Sequence, residues 1–74
     1  MKVTLSFIQN GEPQTMEVVL KARPMKHDVI NIFSETTVTS FLVTGVSHSV
    51  DVDTMESEEI VCTCDYTPPR LFNN

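Results

Sequence analysis

FLVTGVSHSVD, residues 41–51, is the longest stretch of this sequence that has the pattern of one unbroken β-strand. Its apolar residues lie on one side of the strand as far as Val43 and on the other side from Val46 onward. A glycine inside a strand pattern, here Gly45, is typical of a β-bulge or a sharp bend. A strand that bends midway can serve two halves of a small barrel, so we expect this stretch to be the central strand.

Around this stretch the sequence predicts four more strands, because apolar and polar residues alternate or β-branched residues cluster in each. They comprise residues 2–8, 16–21, 28–33 and 59–66. Asn10-Gly11, between the first two, predicts the turn of an antiparallel hairpin. A helix over residues 24–34 is the competing interpretation of the third segment. We favour a strand, because three of its four apolar residues are β-branched.

Five short strands separated by turns predict an all-β fold, a small antiparallel meander that closes into a partly open barrel or roll. In size and strand count such a fold is similar to SH3-like and OB-type barrels. The predicted domain covers residues 1–66. Thr67-Pro68-Pro69-Arg70 contains two prolines that cannot donate to a ladder, so we expect residues 67–74 to leave the sheet as an extended tail.

The 74 residues carry a formal charge of −5, and this acidity limits the possible partners. No Lys or Arg occurs from residue 28 to residue 69, an interval that contains eight carboxylates. Affinity for phosphates comes from basic side chains, so direct binding of nucleic acid or of an anionic membrane is disfavoured. A domain of this size is only marginally stable alone, and a metal or a second subunit would add stability.

Two cysteines separated by one residue cannot staple a fold, and the first residues lack the apolar core of a signal peptide. We therefore expect a cytoplasmic protein with reduced thiols. His48 lies between Ser47 and Ser49, but neighbours on a strand point to opposite faces, and only tertiary folding could bring either histidine to a cysteine. So small a barrel also encloses little volume. The sequence accordingly predicts a non-enzymatic protein without a cofactor.

The main functional hypothesis is a binding module that occupies a protein partner with a basic surface. Its predicted contact residues are the carboxylates Asp51, Asp53, Glu56, Glu58, Glu59 and Asp65. In charge and size, although in no motif, the chain is similar to small acidic proteins of phages and other mobile elements that inhibit nucleic-acid-handling proteins of the host.

Two alternatives involve a small ligand or a metal. An oligomer could bind an anion or a nucleotide between subunits through the basic residues Lys21, Arg23, Lys26 and Arg70. A structural zinc module would use Cys62, Cys64, His27 and His48. The zinc hypothesis is the weaker one, because thiols two residues apart on a strand lie about 7 Å from each other.

Self-association is the last prediction from the sequence. Leu71 and Phe72 follow the two prolines, and a small barrel has little room to bury them within one chain. They could dock on a second subunit, so we expect a homo-oligomer.

Overall fold

The computed structural model describes residues 1–53 and 58–72, and it confirms an all-β fold of five strands. The strands are β1 (Lys2–Gln9), β2 (Glu12–Val19), β3 (Val29–Ser34), β4 (Thr37–Val50) and β5 (Glu58–Leu71). They form one sheet in the order β2-β1-β5-β4-β3. The strand prediction for residues 28–33 is thus confirmed over the helix. In the described part of the chain, no helix has the length and apolarity needed to cross a membrane.

The topology differs from the predicted antiparallel meander. β1 and β5 pair in parallel, through Thr4–Ser6 and Val61–Thr63, and the other three pairings are antiparallel. β5 is therefore the middle strand, although we expected β4 in that place. β2 and β3 are the two edges, so the sheet is not closed into a barrel. The inward side chains of Ile60, Cys62 and Cys64 on β5 are buried, as expected for a middle strand.

β4 contains the bulge that its sequence predicts. Val43 pairs with Cys64 and Gly45 pairs with Thr63, which leaves Thr44 as the extra residue. The extra residue reverses the alternation of side chains, so Val46 returns to the face that carries Val43. The change of apolar side in residues 41–51 is thus compensated by the backbone, and Phe41, Val43 and Val46 lie on one face of β4.

The core lies on this face, which we call the inner face of the sheet. Its buried residues are Val3, Leu5, Phe7, Phe41, Val43, Ile60, Cys62 and Cys64. The rings of Phe7 and Phe41 meet edge to face with centroids 4.9 Å apart, and Tyr66 stacks on Phe7 at 5.1 Å. Each fully buried aliphatic or aromatic side chain contributes about 1.5–3 kcal/mol of transfer free energy.

Residues 20–28 connect the two edge strands and cross the inner face. Leu20 packs against the core and Pro24 is buried. The backbone of Asp28 accepts a hydrogen bond of 2.8 Å from the amide of Val43, which fixes the end of the connection beside β4. A single sheet has no second layer, and this connection supplies part of the missing cover.

β5 continues through the prolines to Leu71, whereas the sequence predicts that the strand ends at Tyr66 and that residues 67–74 form a tail. Pro68 and Pro69 lie in a second bulge, opposite the single residue Thr39. Among the described residues, β1 pairs with β5 only at Val61–Thr63. At the prolines, the edge of β5 that faces away from β4 therefore has no partner strand there and needs no N–H donor, so proline is tolerated.

The chain is elongated for its size. Its radius of gyration is 13.6 Å, against about 11 Å for a compact domain of 74 residues. Its accessible surface is 5542 Å², against roughly 4,600 Å² from the scaling of surface with mass. The excess surface shows that this sheet buries less of itself than a typical small domain does.

Substitutions at the two glycines test the backbone conformations assigned to the β1–β2 turn and to the bulge in β4. Asn10 and Gly11 have φ of 53° and 78°, the pattern of a two-residue hairpin turn, whereas Gly45 lies outside the left-handed region. No atom lies within 4 Å of a Cβ built at either position. We expect Gly11→Ala to lower the free energy of unfolding by about 1 kcal/mol and Tm by about 4–8 °C.

Gly45→Ala is the matched control and should leave stability unchanged or raise it by about 0.5 kcal/mol. Urea and thermal unfolding of both variants measure the difference. Equal destabilisation by the two substitutions would contradict the assigned turn and bulge.

Candidate functional site

The β4–β5 hairpin carries exposed carboxylates at its far end. Asp51 and Asp53 follow β4 directly, and Oδ1 of Asp51 accepts a hydrogen bond of 2.8 Å from the amide of Asp53. Glu59 lies at the start of β5 and pairs with Ser49. Glu56 lies outside the described residues. We call Asp51, Asp53 and Glu59 the acidic end of the hairpin.

Asp65 does not belong to this group. It pairs with Leu42, six residues along β5 from Glu59 and hence about 20 Å away. The predicted contact surface from Asp51 to Asp65 is therefore divided into two separate parts of the sheet.

Glu58 belongs to an ionic cluster within the chain. Its Oε2 lies 2.8 Å from Nδ1 of His48, and its Oε1 accepts a hydrogen bond of 3.3 Å from Nη2 of Arg23. Nη1 of Arg23 lies 3.2 Å from the same histidine nitrogen. The sequence analysis assigned these residues to three different hypotheses, whereas the structure pairs them with one another.

The Arg23–His48–Glu58 cluster connects residues 20–28 to the hairpin. The pKa of Glu58 is lowered, and the hydrogen bond from His48 is the largest cause. Burial is the next-largest effect and raises this pKa, whereas the charges of Arg23 and His48 lower it further. Because the cluster is exposed, it adds little to overall stability. Its structural consequence is local: it holds the connection against the inner face.

The basic residues do not gather around one site. Lys21 and Lys26 are exposed in the connection. Arg70 donates a hydrogen bond of 2.8 Å to Oγ of Ser40. Ser40 and His48, which contact Arg70 and Arg23 respectively, are eight residues apart on β4, or about 25 Å. Within one chain, a small anion could contact only one of the two arginines.

The cysteines lie in the core and the histidines lie on the surface. Burial raises the pKa of both thiols, that of Cys64 to about 11, and Asp28 contributes to the shift at Cys62. Metal ligands and nucleophiles need thiolates, and raised pKa values disfavour them. Over residues 1–53 and 58–72, no three His, Cys, Asp or Glu side chains are grouped so as to hold a metal ion. The zinc hypothesis thus has no geometric support in this part of the chain.

The two C-terminal apolar residues of the described chain contact the β3–β4 hairpin. The ring of Phe72 meets that of Phe33 edge to face at 5.0 Å, and its amide donates a hydrogen bond of 2.6 Å to the carbonyl of Thr36. Leu71 pairs with Thr37. Both residues stay largely exposed, and they line a shallow cavity of about 300 Å³ together with Phe33, Asn31, Val38 and Arg70.

The sequence analysis named Leu71 and Phe72 for self-association and Arg70 for anion binding, but it missed the part of this surface on β3 and β4. The signal was present in β3, where Val29 and Phe33 are apolar on one face and Ile30 and Ile32 on the other. A strand that is apolar on both faces is typical of a position covered on both sides.

Comparison of the chain with protein-family models, with curated proteins and with solved structures gives no match.

Glu58→Gln tests the ionic cluster. A lowered pKa means that the carboxylate stabilises the fold above its ordinary pKa of 4.5 and that this stabilisation is lost as the pH falls below that value. We expect the variant to unfold at a slightly lower urea concentration than the wild type at pH 7, because the ion pairs are exposed, and the difference to shrink towards pH 3.

The matched control is Glu59→Gln, which removes the neighbouring carboxylate on the opposite face of β5. It should leave the urea midpoint unchanged at both pH values. If Glu58→Gln has no larger effect than Glu59→Gln at pH 7, the cluster does not hold the connection.

Proposed function

We propose that this protein is a non-enzymatic binding module that occupies a basic surface on a protein partner. The observation that supports the proposal best is the acidic end of the hairpin. Asp51, Asp53 and Glu59 are exposed there, and Arg23 is bound to Glu58 rather than to them. Their negative charge is therefore available to a partner.

The position of this end on the fold also supports the proposal. β4 and β5 have 14 residues each, whereas β1 and β2 have eight. Thr4 pairs with Val61, so the sheet formed by β1 and β2 begins near the level of Glu59. Residues 51–53 extend past that level, and a protruding end can enter a concave surface.

The mechanism in this proposal is electrostatic. A chain of charge −5 is attracted over several ångströms by a basic groove, and bound carboxylates then exclude the groove's ordinary anionic ligand. A nucleic-acid-binding groove has this chemistry. The more specific form of the proposal is therefore an inhibitor, encoded by a phage or other mobile element, of a nucleic-acid-handling protein in the host cytoplasm.

An enzymatic function has less support among the described residues. The two thiols are buried with raised pKa values, whereas catalytic cysteines have lowered ones. The anion-binding alternative has less support for a different reason, because Arg23 and Arg70 bind separate parts of the sheet.

Neutralising the acidic end tests the proposal. The protein, tagged at its N-terminus, serves as bait in a cell extract, and the retained proteins are quantified by mass spectrometry. We expect Asp51→Asn/Asp53→Asn to lower retention of the partner about fivefold, as for two surface ion pairs of about 0.5 kcal/mol each. Added duplex DNA should displace the partner from the wild type.

The control is Glu12→Gln/Glu35→Gln, which removes the same charge from exposed positions at two turns far from the acidic end. It should retain the partner as the wild type does. Equal losses in both variants would indicate a general charge effect and would contradict a contact at the acidic end.

A further inference from the structure

The face of β3, β4 and β5 opposite the core carries three rows of side chains, which we call the outer patch. Directly paired residues on neighbouring strands point to the same face, so the register defines each row. The upper row contains Phe33, Val38 and Arg70; the middle row contains Asn31, Ser40 and Thr67; the lower row contains Val29, Leu42 and Asp65.

The upper and lower rows each contain two apolar residues and one charged residue, and of the apolar ones only Val38 is buried, at 7% exposed. Phe33 is 59% exposed, Val29 56% and Leu42 40%. Phe72 extends the upper row through its contact with Phe33. The outer face of β1 and β2 is more polar, with Lys2, Thr4, Ser6, Thr15 and Glu17. Ile8 and Val19 are also exposed on that face, but they lie at opposite ends of the β1–β2 hairpin, whereas the apolar residues of the outer patch lie on adjacent strands.

The middle row is polar, but Ser40 at its centre is already hydrogen-bonded. Oγ of Ser40 donates to Oδ1 of Asn31 and accepts from Nη2 of Arg70, and Ser40 is only 8% exposed. Burying a polar group costs free energy mainly when it loses its hydrogen bonds to water without replacement. Docking of a second surface on this row would leave these bonds intact.

We propose that a second copy of this chain docks on the outer patch, face to face, about a two-fold axis that runs across the strands along the middle row. Such an axis reverses the strand direction and exchanges the upper row of one copy for the lower row of the other. Phe33 then lies against Val29 of the second copy, and Val38 against Leu42. Arg70 lies opposite Asp65 of the second copy, twice in each dimer.

Charge complementarity favours a second copy of the chain as the molecule that docks on the outer patch. Arg70 and Asp65 pair with Val38 and Leu42, four residues apart on β4, so their backbones lie about 13 Å apart, too far for the side chains to pair within one chain. The two-fold axis brings each one opposite the residue of opposite charge. It also directs the acidic ends of the two hairpins to opposite ends of the dimer, where two chains of charge −5 repel each other least.

The size of the patch sets the expected affinity. Three strands and three rows project to roughly 15 by 20 Å. This footprint is smaller than the about 800 Å² per partner that stable complexes bury. The dimer should therefore be weak, with a Kd in the micromolar range, and it should form at high protein concentration.

Charge reversal tests the pairing by sedimentation velocity over about 5–500 μM protein. We expect the wild type to dimerise and Arg70→Glu and Asp65→Arg each to weaken dimerisation at least about tenfold, because each places like charges in contact. An equimolar mixture of the two variants should dimerise again, since every contact in the mixed dimer joins opposite charges. Lys26→Glu is the control and should dimerise as the wild type does.

Val29→Asp tests the same interface without disturbing the hydrogen bond of Arg70 to Ser40, and it should also abolish dimerisation. Far-UV circular dichroism checks that each variant is folded. The proposal is overturned by a wild type that stays monomeric at the highest concentration. It is also overturned by dimers that persist in Val29→Asp, as edge-to-edge pairing of β2 would give, or by folded charge variants that do not recover dimerisation when mixed. A monomeric wild type would leave the function proposed for the acidic end unaffected.

Discussion

The three-residue parallel ladder between β1 and β5 is the constraint on which the rest of this structure depends. It joins the β1–β2 hairpin to the three-stranded antiparallel unit β3–β4–β5. Only through this ladder does Leu5 come beside Cys62, and with it the apolar face of the hairpin meets that of the three-stranded unit. An isolated two-stranded hairpin such as β1–β2 is at best marginally stable in water, so this hairpin depends on the ladder.

Local features of the fold could be predicted from the sequence, and long-range ones could not. The Asn10-Gly11 turn, the strand at residues 28–33 and the bulge at Thr44 each follow from neighbouring residues. The parallel pairing joins segments more than fifty residues apart, and no local pattern specifies it. The continuation of β5 through its prolines depends on the same topology, because only an unpaired edge tolerates them.

The contacts of the charged residues were even harder to predict from the sequence than the strand order. Arg23, His48 and Glu58 have three different plausible roles in the sequence, and only the tertiary structure shows that they bind each other. Their pairing leaves Asp51, Asp53 and Glu59 as the exposed acidic group of the hairpin. The apolar residues of β3 point to both faces: those on the inner face pack against the core, and those on the outer face are exposed, where we propose that a second copy docks. The acidic ends and the outer patch lie on different parts of the sheet, so one chain could use both at once.

Native-state hydrogen exchange, followed by NMR, tests the role of the ladder most directly. We expect the ladder between β1 and β5 to make the β1–β2 hairpin and the strands β3–β4–β5 one cooperative unit. The hydrogen-bonded amides of Thr4–Ser6 and Val61–Thr63 should then exchange only through global unfolding. Their free energy of exchange should equal that of the protected amides of the β4–β5 hairpin. Exchange of the β1 amides at a markedly lower free energy, while β4 and β5 stay protected, would show that the first hairpin detaches alone and would contradict the account.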